Sequence, residues 1–270
     1  MAEVISVYYH NNDYSRPITI TQYFGGTKVS SSYWPNDDGI FDQEKNEILF
    51  TNLGKCKLHD DYIDFGDGNI WHKDRRDNLL FIGANDMCEI LHYVNRYNNG
   101  LFIEAIPYTY ERLKDNLLNT KRYNTNYIPI NSLVASEPNK EIIFNVFNNW
   151  EASSSMYEPN PANWQWKDIK VKEQIRLIST TIESILKEQG WENKQYDVVL
   201  DVQGAELEVL KGFGESNLRN IKSIKVEVST KEFYFGGVLF SELDEFFVRN
   251  GFKLLDSPTD NHCDVTYVHV

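Results

Sequence analysis

The amino-acid sequence predicts an α/β protein: a Rossmann-like, mostly parallel sheet with flanking helices, preceded by a β-rich N-terminal extension. Three observations predict it. From Asn78 onward strand-like and helix-like runs alternate, which is the pattern of a parallel sheet. Asp197 to Leu210, reading DVVLDVQGAELEVL, ends an apolar strand on an acid, turns at one glycine and enters a helix carrying a second acid. That is where an open α/β sheet places its site. Up to about Arg76, β-branched and aromatic runs alternate with turn residues, without helical periodicity. The expected division is residues 1–76 as the extension and 77–270 as the α/β domain.

In the extension, Ile18 to Phe24 and Thr27 to Trp34 are joined by Gly25-Gly26, a two-residue hairpin signal. Glu47 to Phe50 and Tyr62 to Trp71 read as further strands, the latter broken at Gly66-Asp67-Gly68-Asn69. In the α/β domain Leu79 to Gly83 is a strand. A helix from Met87 to Asn95 follows, with Met87, Ile90, Leu91 and Val94 on one face. Leu101 to Ala105 is the next strand and Tyr108 to Leu118 the next helix, and Asn126 to Ala135 and Glu141 to Phe147 are strand-like. Asn148 to Lys167 is a long loop holding Trp150, Trp164 and Trp166, expected to be a mobile lid. Its tryptophans serve either as stacking surface for a substrate or as packing. Thr180 to Glu183 has the form of a capping box for a helix ending at Gly190. Strand Val198 to Leu200, helix Glu206 to Lys211 stopped by Gly212, strand Ile221 to Val228, helix Ser241 to Asn250, and strands Phe252 to Leu255 and Val265 to Val268 complete the series.

With 270 residues the chain is long enough to bury a sizeable core without disulfides. A net charge of −13 and no compensating Lys/Arg cluster disfavour nucleic acid and anionic lipid as partners. The start of the chain lacks a signal-peptide pattern and no run of about 18 apolar residues occurs, so a cytoplasmic protein is expected. Cys56, Cys88 and Cys263 are scattered, with no C-x-x-C spacing, which suggests neither a disulfide framework nor a zinc site.

Phe81-Ile82-Gly83-Ala84-Asn85-Asp86-Met87 lies between the first strand and first helix of the domain, where dinucleotide-binding proteins carry their glycines. Glu104 ends the second strand about 20 residues on, the place of a ribose-binding acid. This leaves nicotinamide and S-adenosylmethionine both open. Asp86 and Glu89 in the first helical turn repel a pyrophosphate but suit a ligand with an ammonium and a sulfonium, so the balance falls to the latter.

The D-x-x-G-x-E run at Asp201 to Glu206, the G-A-N at Gly83 to Asn85 and Glu104 together resemble the FkbM-type methyltransferases, which methylate hydroxyl groups with S-adenosylmethionine. The resemblance implies a class I methyltransferase fold. It implies that Gly83, Ala84 and Asn85 approach the methionine part of the donor and that Glu104 holds its ribose. It also places Asn131 and Ser132 on the adenine side and Asp201 at the methyl end. Ser153 to Ser155 match a serine-rich segment, Asn116 a structural helix-end residue, and Ile224 to Val228 an i-x-v-E segment that sets Glu227 beside Asp201. Phe81 stands where the family usually has an acid and Met87 where it usually has glycine, so a binding or assembly module without turnover is the alternative class.

Methyl transfer requires an acceptor oxygen aligned behind the methyl carbon and relieved of its proton. Asp201, Glu227 and, from the C-terminal loop, His262 are the candidate bases. Asp201, Glu206 and Glu227 at one sheet edge also suit a hard cation such as Mg²⁺. The expected acceptor is a sugar or another polyhydroxylated small molecule, and the aromatic surface is equally compatible with a homo-oligomer.

Overall fold

The computed structural model describes the backbone of eight strands between residues 3 and 72, with the side chains of Ile48, Cys56 and Lys57, and then residues 76–87, 93, 96–118 and 125–270. Of the expected helix from Met87 to Asn95 only Met87, which is left-handed and not helical, and the helical Tyr93 are described, and the turn Gly66 to Asn69 lies outside the described residues. The chain divides into two compact units. One takes in Met1–Asp77, Cys88–Asn98 and Asn119–Asn126; the other takes in Asn78–Met87, Asn99–Leu118 and Tyr127–Val270.

The first unit is a closed barrel of β1 (Glu3–His10), β2 (Asp13–Tyr23), β3 (Gly26–Ser31), β4 (Gly39–Asp42), β5 (Glu47–Phe50), β6 (Gly54–Leu58), β7 (Tyr62–Asp64) and β8 (Ile70–His72). Each strand pairs antiparallel with its successor. Tyr23 faces Gly26 at the hairpin the glycine pair predicts, and Tyr9 meets His72 where β8 closes on β1. Closure removes the two free edges that an open sheet of eight strands would present. Ile48 and Cys56, cross-strand partners on β5 and β6, are both buried.

The second unit carries the site. Its main sheet has seven strands in the order β11 (Asn126–Asn131), β10 (Tyr97–Glu104), β9 (Arg76–Ile82), β15 (Tyr196–Leu200), β16 (Ile221–Ser229), β18 (His262–His269), β17 (Phe252–Leu254). β15 lies parallel to both β9 and β16, and β18 runs antiparallel to β16 and β17. The apolar run of β15 is buried because it sits at the centre, covered on both faces. Helices α1 (Pro107–Leu118), α2 (Ile182–Glu188), α3 (Glu206–Lys211), α4 (Glu215–Leu218) and α5 (Phe240–Arg249) flank the sheet. Leu243 and Phe247 of α5 are fully buried, and the Phe247 ring stacks on Tyr267 of β18 at 4.2 Å. A second sheet orders β12 (Leu133–Val134), β14 (Val171–Thr180), β13 (Glu141–Phe147).

Two expectations shift. The N-cap of α2 is Thr181, whose hydroxyl accepts from Ser184 N–H at 3.2 Å, because Thr180 is taken into β14 opposite Val134. The aromatic loop after β13 is not a free lid. Trp164 meets Trp166 and Tyr234 edge to face and Phe147 at a tilt, with centroids 5.1 to 5.4 Å apart, and its Nε1–H is directed at the carbonyls of Trp166 and Ile169 at 3.0 Å. Backbone bonds from Asn160 to Phe233 and from Phe235 to Glu158 fasten the same loop. Trp164 and Trp166 are therefore packing residues, whereas Trp150 remains 78% exposed.

Candidate functional site

The site forms at the carboxyl ends of β9, β10 and β15. Leaving β9, the chain passes through left-handed conformations at Gly83, Asn85 and Met87, with φ of 82°, 48° and 51°. Gly83 is sterically required, since a Cβ would fall 1.6 Å from the Asp201 carbonyl oxygen. Asn tolerates this region through its short polar side chain, but a left-handed Met costs about 1–2 kcal/mol. That accounts for the glycine usual at the position of Met87 in the family the sequence resembles. Phe81 stacks toward Phe102 on the neighbouring strand, with centroids 6.1 Å apart.

Glu104 ends β10 and is buried. Its Oε2 accepts from Asn85 N–H at 2.9 Å and its Oε1 from Ile106 N–H at 2.8 Å. Burial pushes the carboxyl up to about 7, against the lowering effect of those N–H donors. Asn131 does not reach this carboxylate; its amide donates to the carbonyls of Glu104 and Ala105 at 2.9 and 3.1 Å and fixes the strand end. Asn116 donates to the Asp86 carbonyl at 2.7 Å, a structural tie.

A cleft of about 680 Å³, counting the part open to solvent, is lined by Gly83, Asn85, Glu104, Ser132 and Asp201, with Ile106, Leu133, Phe144 and Met156 as an apolar wall. Ala84 is buried and is not part of its lining. Its rim includes Glu151, unforeseen from sequence, whose buried carboxylate pairs with Arg112 of α1 and Lys172 of β14. Burial acts to raise the Glu151 carboxyl, but the two cations outweigh it and hold it below the usual range. Asn85 Nδ2 donates to the Trp150 carbonyl at 3.1 Å, tying this rim to the turn after β9.

Asp201 and Glu227 are also bridged by a residue the sequence did not mark. Gln203, in a left-handed conformation at φ 55°, donates from Nε2 to Asp201 Oδ1 at 2.8 Å and to Glu227 Oε2 at 2.6 Å. His262 Nε2 lies 3.1 Å from Glu227 Oε1, and its Nδ1 is 2.9 Å from Ser229 Oγ. Burial, then the charge of Glu227, raises Asp201 well above the ordinary carboxylate range. Burial alone would lower His262, but Glu227 outweighs it and raises the imidazole. Tyr234 Oη sits 2.8 Å from both Gln203 Oε1 and the Ser153 carbonyl oxygen. Of the serine run, Ser155 donates to the Gln203 carbonyl at 2.7 Å and Ser154 accepts from Phe147 N–H at 3.1 Å.

The cation site expected from Asp201, Glu206 and Glu227 does not form. Among the described residues no group of three acids, histidines or cysteines is arranged to hold a metal. The Gln203 amide nitrogen donates to both Asp201 and Glu227. Glu206 Oε1 turns back to accept from Val202 and Gly204 N–H at 3.2 and 3.1 Å.

The model of the methyltransferase FkbM domain matches residues 82–254. Similar solved structures include methyltransferase FkbM from Methylobacillus flagellatus KT, with 11% identity, a TM-score of 0.45, and coverage of 73% of this chain and 45% of that one. The chain thus spans less than half the length of that relative. The precorrin-6y C5,15-methyltransferase of Geobacter metallireducens GS-15 has 10% identity and a TM-score of 0.37, over 73% of this chain and 81% of that one. The magnesium protoporphyrin IX methyltransferase of Synechocystis PCC 6803, solved with bound SAM, has 7% identity and a TM-score of 0.37, over 71% and 69%. No curated protein matches the chain. With the family model covering well over half of it, the chain belongs to the FkbM methyltransferase family.

Proposed function

We infer that the protein is an S-adenosylmethionine-dependent O-methyltransferase acting on a hydroxyl of a sugar or another polyhydroxylated small molecule. The observation that carries this reading is the strand-end cleft, where the buried carboxyl of Glu104 and the half-buried carboxyl of Asp201 share one wall region with the turn Gly83 to Asn85. The fit is chemical as well as spatial. A ligand with ammonium and sulfonium charges gains from cleft carboxyls that lack cationic partners in contact. The apolar wall suits a flat base.

When bound, S-adenosylmethionine supplies an electrophilic methyl group. The protein's part is alignment, exclusion of water and control of one proton. Asp201, raised by burial and by Glu227, would take the proton from the acceptor's hydroxyl as that oxygen takes the methyl group the donor supplies. Glu227, held by Gln203 and His262, keeps a second carboxylate nearby without a metal. Glu104 anchors the turn after β9 through Asn85 and, on the family's pattern, the ribose.

Calorimetric titration with S-adenosylhomocysteine tests the reading, and a folded chain that gives no heat overturns it. The alternative, a binding or assembly module without turnover, is favoured by Met87 at a glycine position. Under it the donor product binds weakly or not at all.

A further inference from the structure

Backbone strain at the rim of the cleft has no partner inside the fold to explain it. Asn149, Trp150, Glu151 and Ala152 make a turn closed by Ala152 N–H on the Asn149 carbonyl at 3.2 Å, with Trp150 and Glu151 at φ of 56° and 63°. A turn with both central φ positive suits Asn-Gly or Gly-Gly, because a Cβ is disfavoured there and a bulky side chain most of all. Here the two places hold tryptophan and glutamate. Such backbone persists only where the surroundings over-determine it, and it gathers at ligand clamps. For Glu151 the brace is visible: its buried carboxylate pairs with Arg112 and Lys172. Asn149 Nδ2 ties the flank of the turn to Ser153 Oγ at 2.8 Å. Of Trp150 only the carbonyl is held, by Asn85 Nδ2 at 3.1 Å. Its indole is 78% exposed and makes no ring contact or hydrogen bond among the described residues.

Packing therefore gives no reason for a large apolar ring in this strained place, and location gives one. Asn85 on one side of Trp150, and Glu151 and Ala152 on the other, line the cleft. The N–H of the same Asn85 bonds Glu104, the acid that ends β10, at 2.9 Å. Trp150 thus stands at the mouth, on the side of Glu104. We propose that Trp150 is a donor-contact residue, whose indole, carried at the mouth by the strained turn, lies against the nucleoside part of bound S-adenosylmethionine. The proposal rests on the reading of the cleft as the site of that donor. A purine presents a flat π face and a ribose an apolar C–H face, and an indole packs on either without a directed hydrogen bond. The ring gains burial only when ligand is there to cover it.

The test uses the full chain and S-adenosylhomocysteine. Trp150→Gly deletes the ring and relieves the backbone, so the unfolding midpoint stays level or rises while the calorimetric affinity falls about tenfold, the worth of one base–aromatic stack. Trp150→Phe keeps a flat ring and most of the affinity. In the wild-type chain with labelled tryptophan, nuclear Overhauser effects join the Trp150 indole, assigned by its loss in Trp150→Phe, to the adenine ring protons or the ribose anomeric proton. Wild-type affinity in Trp150→Gly overturns the proposal, and so does a midpoint well below wild type, since the ring then serves the fold. Absence of those Overhauser effects in the saturated wild-type chain overturns it even where the glycine variant does not fold. A wild-type chain that gives no heat sinks the methyltransferase reading and this contact together, whereas heat without any effect at Trp150 sinks the contact alone.

Discussion

At the residue scale, strand-end acids were legible and the residues between them were not. Glu104 and Asp201 could be placed because a carboxylate at the end of a parallel strand has a defined location relative to the sheet. Gln203 sits inside the most informative motif of the chain, yet a glutamine in a turn carries no chemical signature. Its partner Tyr234 is 31 positions away. Two predictions belong here. Glu104→Ala is expected to weaken S-adenosylhomocysteine binding roughly 10–100-fold, the loss of charged hydrogen bonds to ligand and of the Asn85 anchor; calorimetry reads it. Asp201→Asn is expected to abolish methyl transfer while leaving thermal stability equal or higher, because it removes a buried charge facing Glu227 and Glu206. Thermal unfolding beside a turnover assay with the acceptor checks both halves.

At the element scale, buried parallel strands and capped helices announced themselves. β15 carries the apolar run Val198 to Leu200, and α3 stops at Gly212 as its composition requires. β14 went unread because VKEQIRLIST is largely exposed and charged, a strand defined by pairing with β13 rather than by burial. The aromatic loop misled for a related reason: tryptophans and prolines in series look like a lid until Phe147, Phe233 and Tyr234 are brought against them from distant elements. Trp164→Ala should therefore destabilise the fold by about 2–4 kcal/mol, near the lower range for aromatic truncation. A denaturant titration showing wild-type stability would restore the lid. Gly83→Ala should be worse tolerated than Trp164→Ala, since the added Cβ meets backbone at Asp201 and not a movable side chain.

At the scale of the whole molecule, several buried groups push the pH dependence of stability in one direction. Glu104 and Glu206 rise from 4.5 to about 7 on folding, so the native chain holds protons that the unfolded chain releases between those values. Stability must fall as pH rises from about 4.5 to 7, by at most roughly 3 kcal/mol for each group, and level off above. His262, raised by Glu227, contributes with the same sign, as does the growing repulsion in a chain of net charge −13. Unfolding midpoints measured from pH 5 to 8 should decline monotonically; a maximum near 8 would show that these carboxyls are ionised in the native state. Barrel closure was not legible, since the β1–β8 contact joins the two ends of the unit and leaves no mark on either strand. The sheet order has a consequence for synthesis. Every other barrel pairing joins successive strands, so the barrel can assemble as it leaves the ribosome. β9, in contrast, must wait for β15: Asn78 bonds Gln195, 117 positions on. Until then its apolar edge is uncovered, and the nascent chain's exposure to aggregation and chaperones falls on the interval between those two strands.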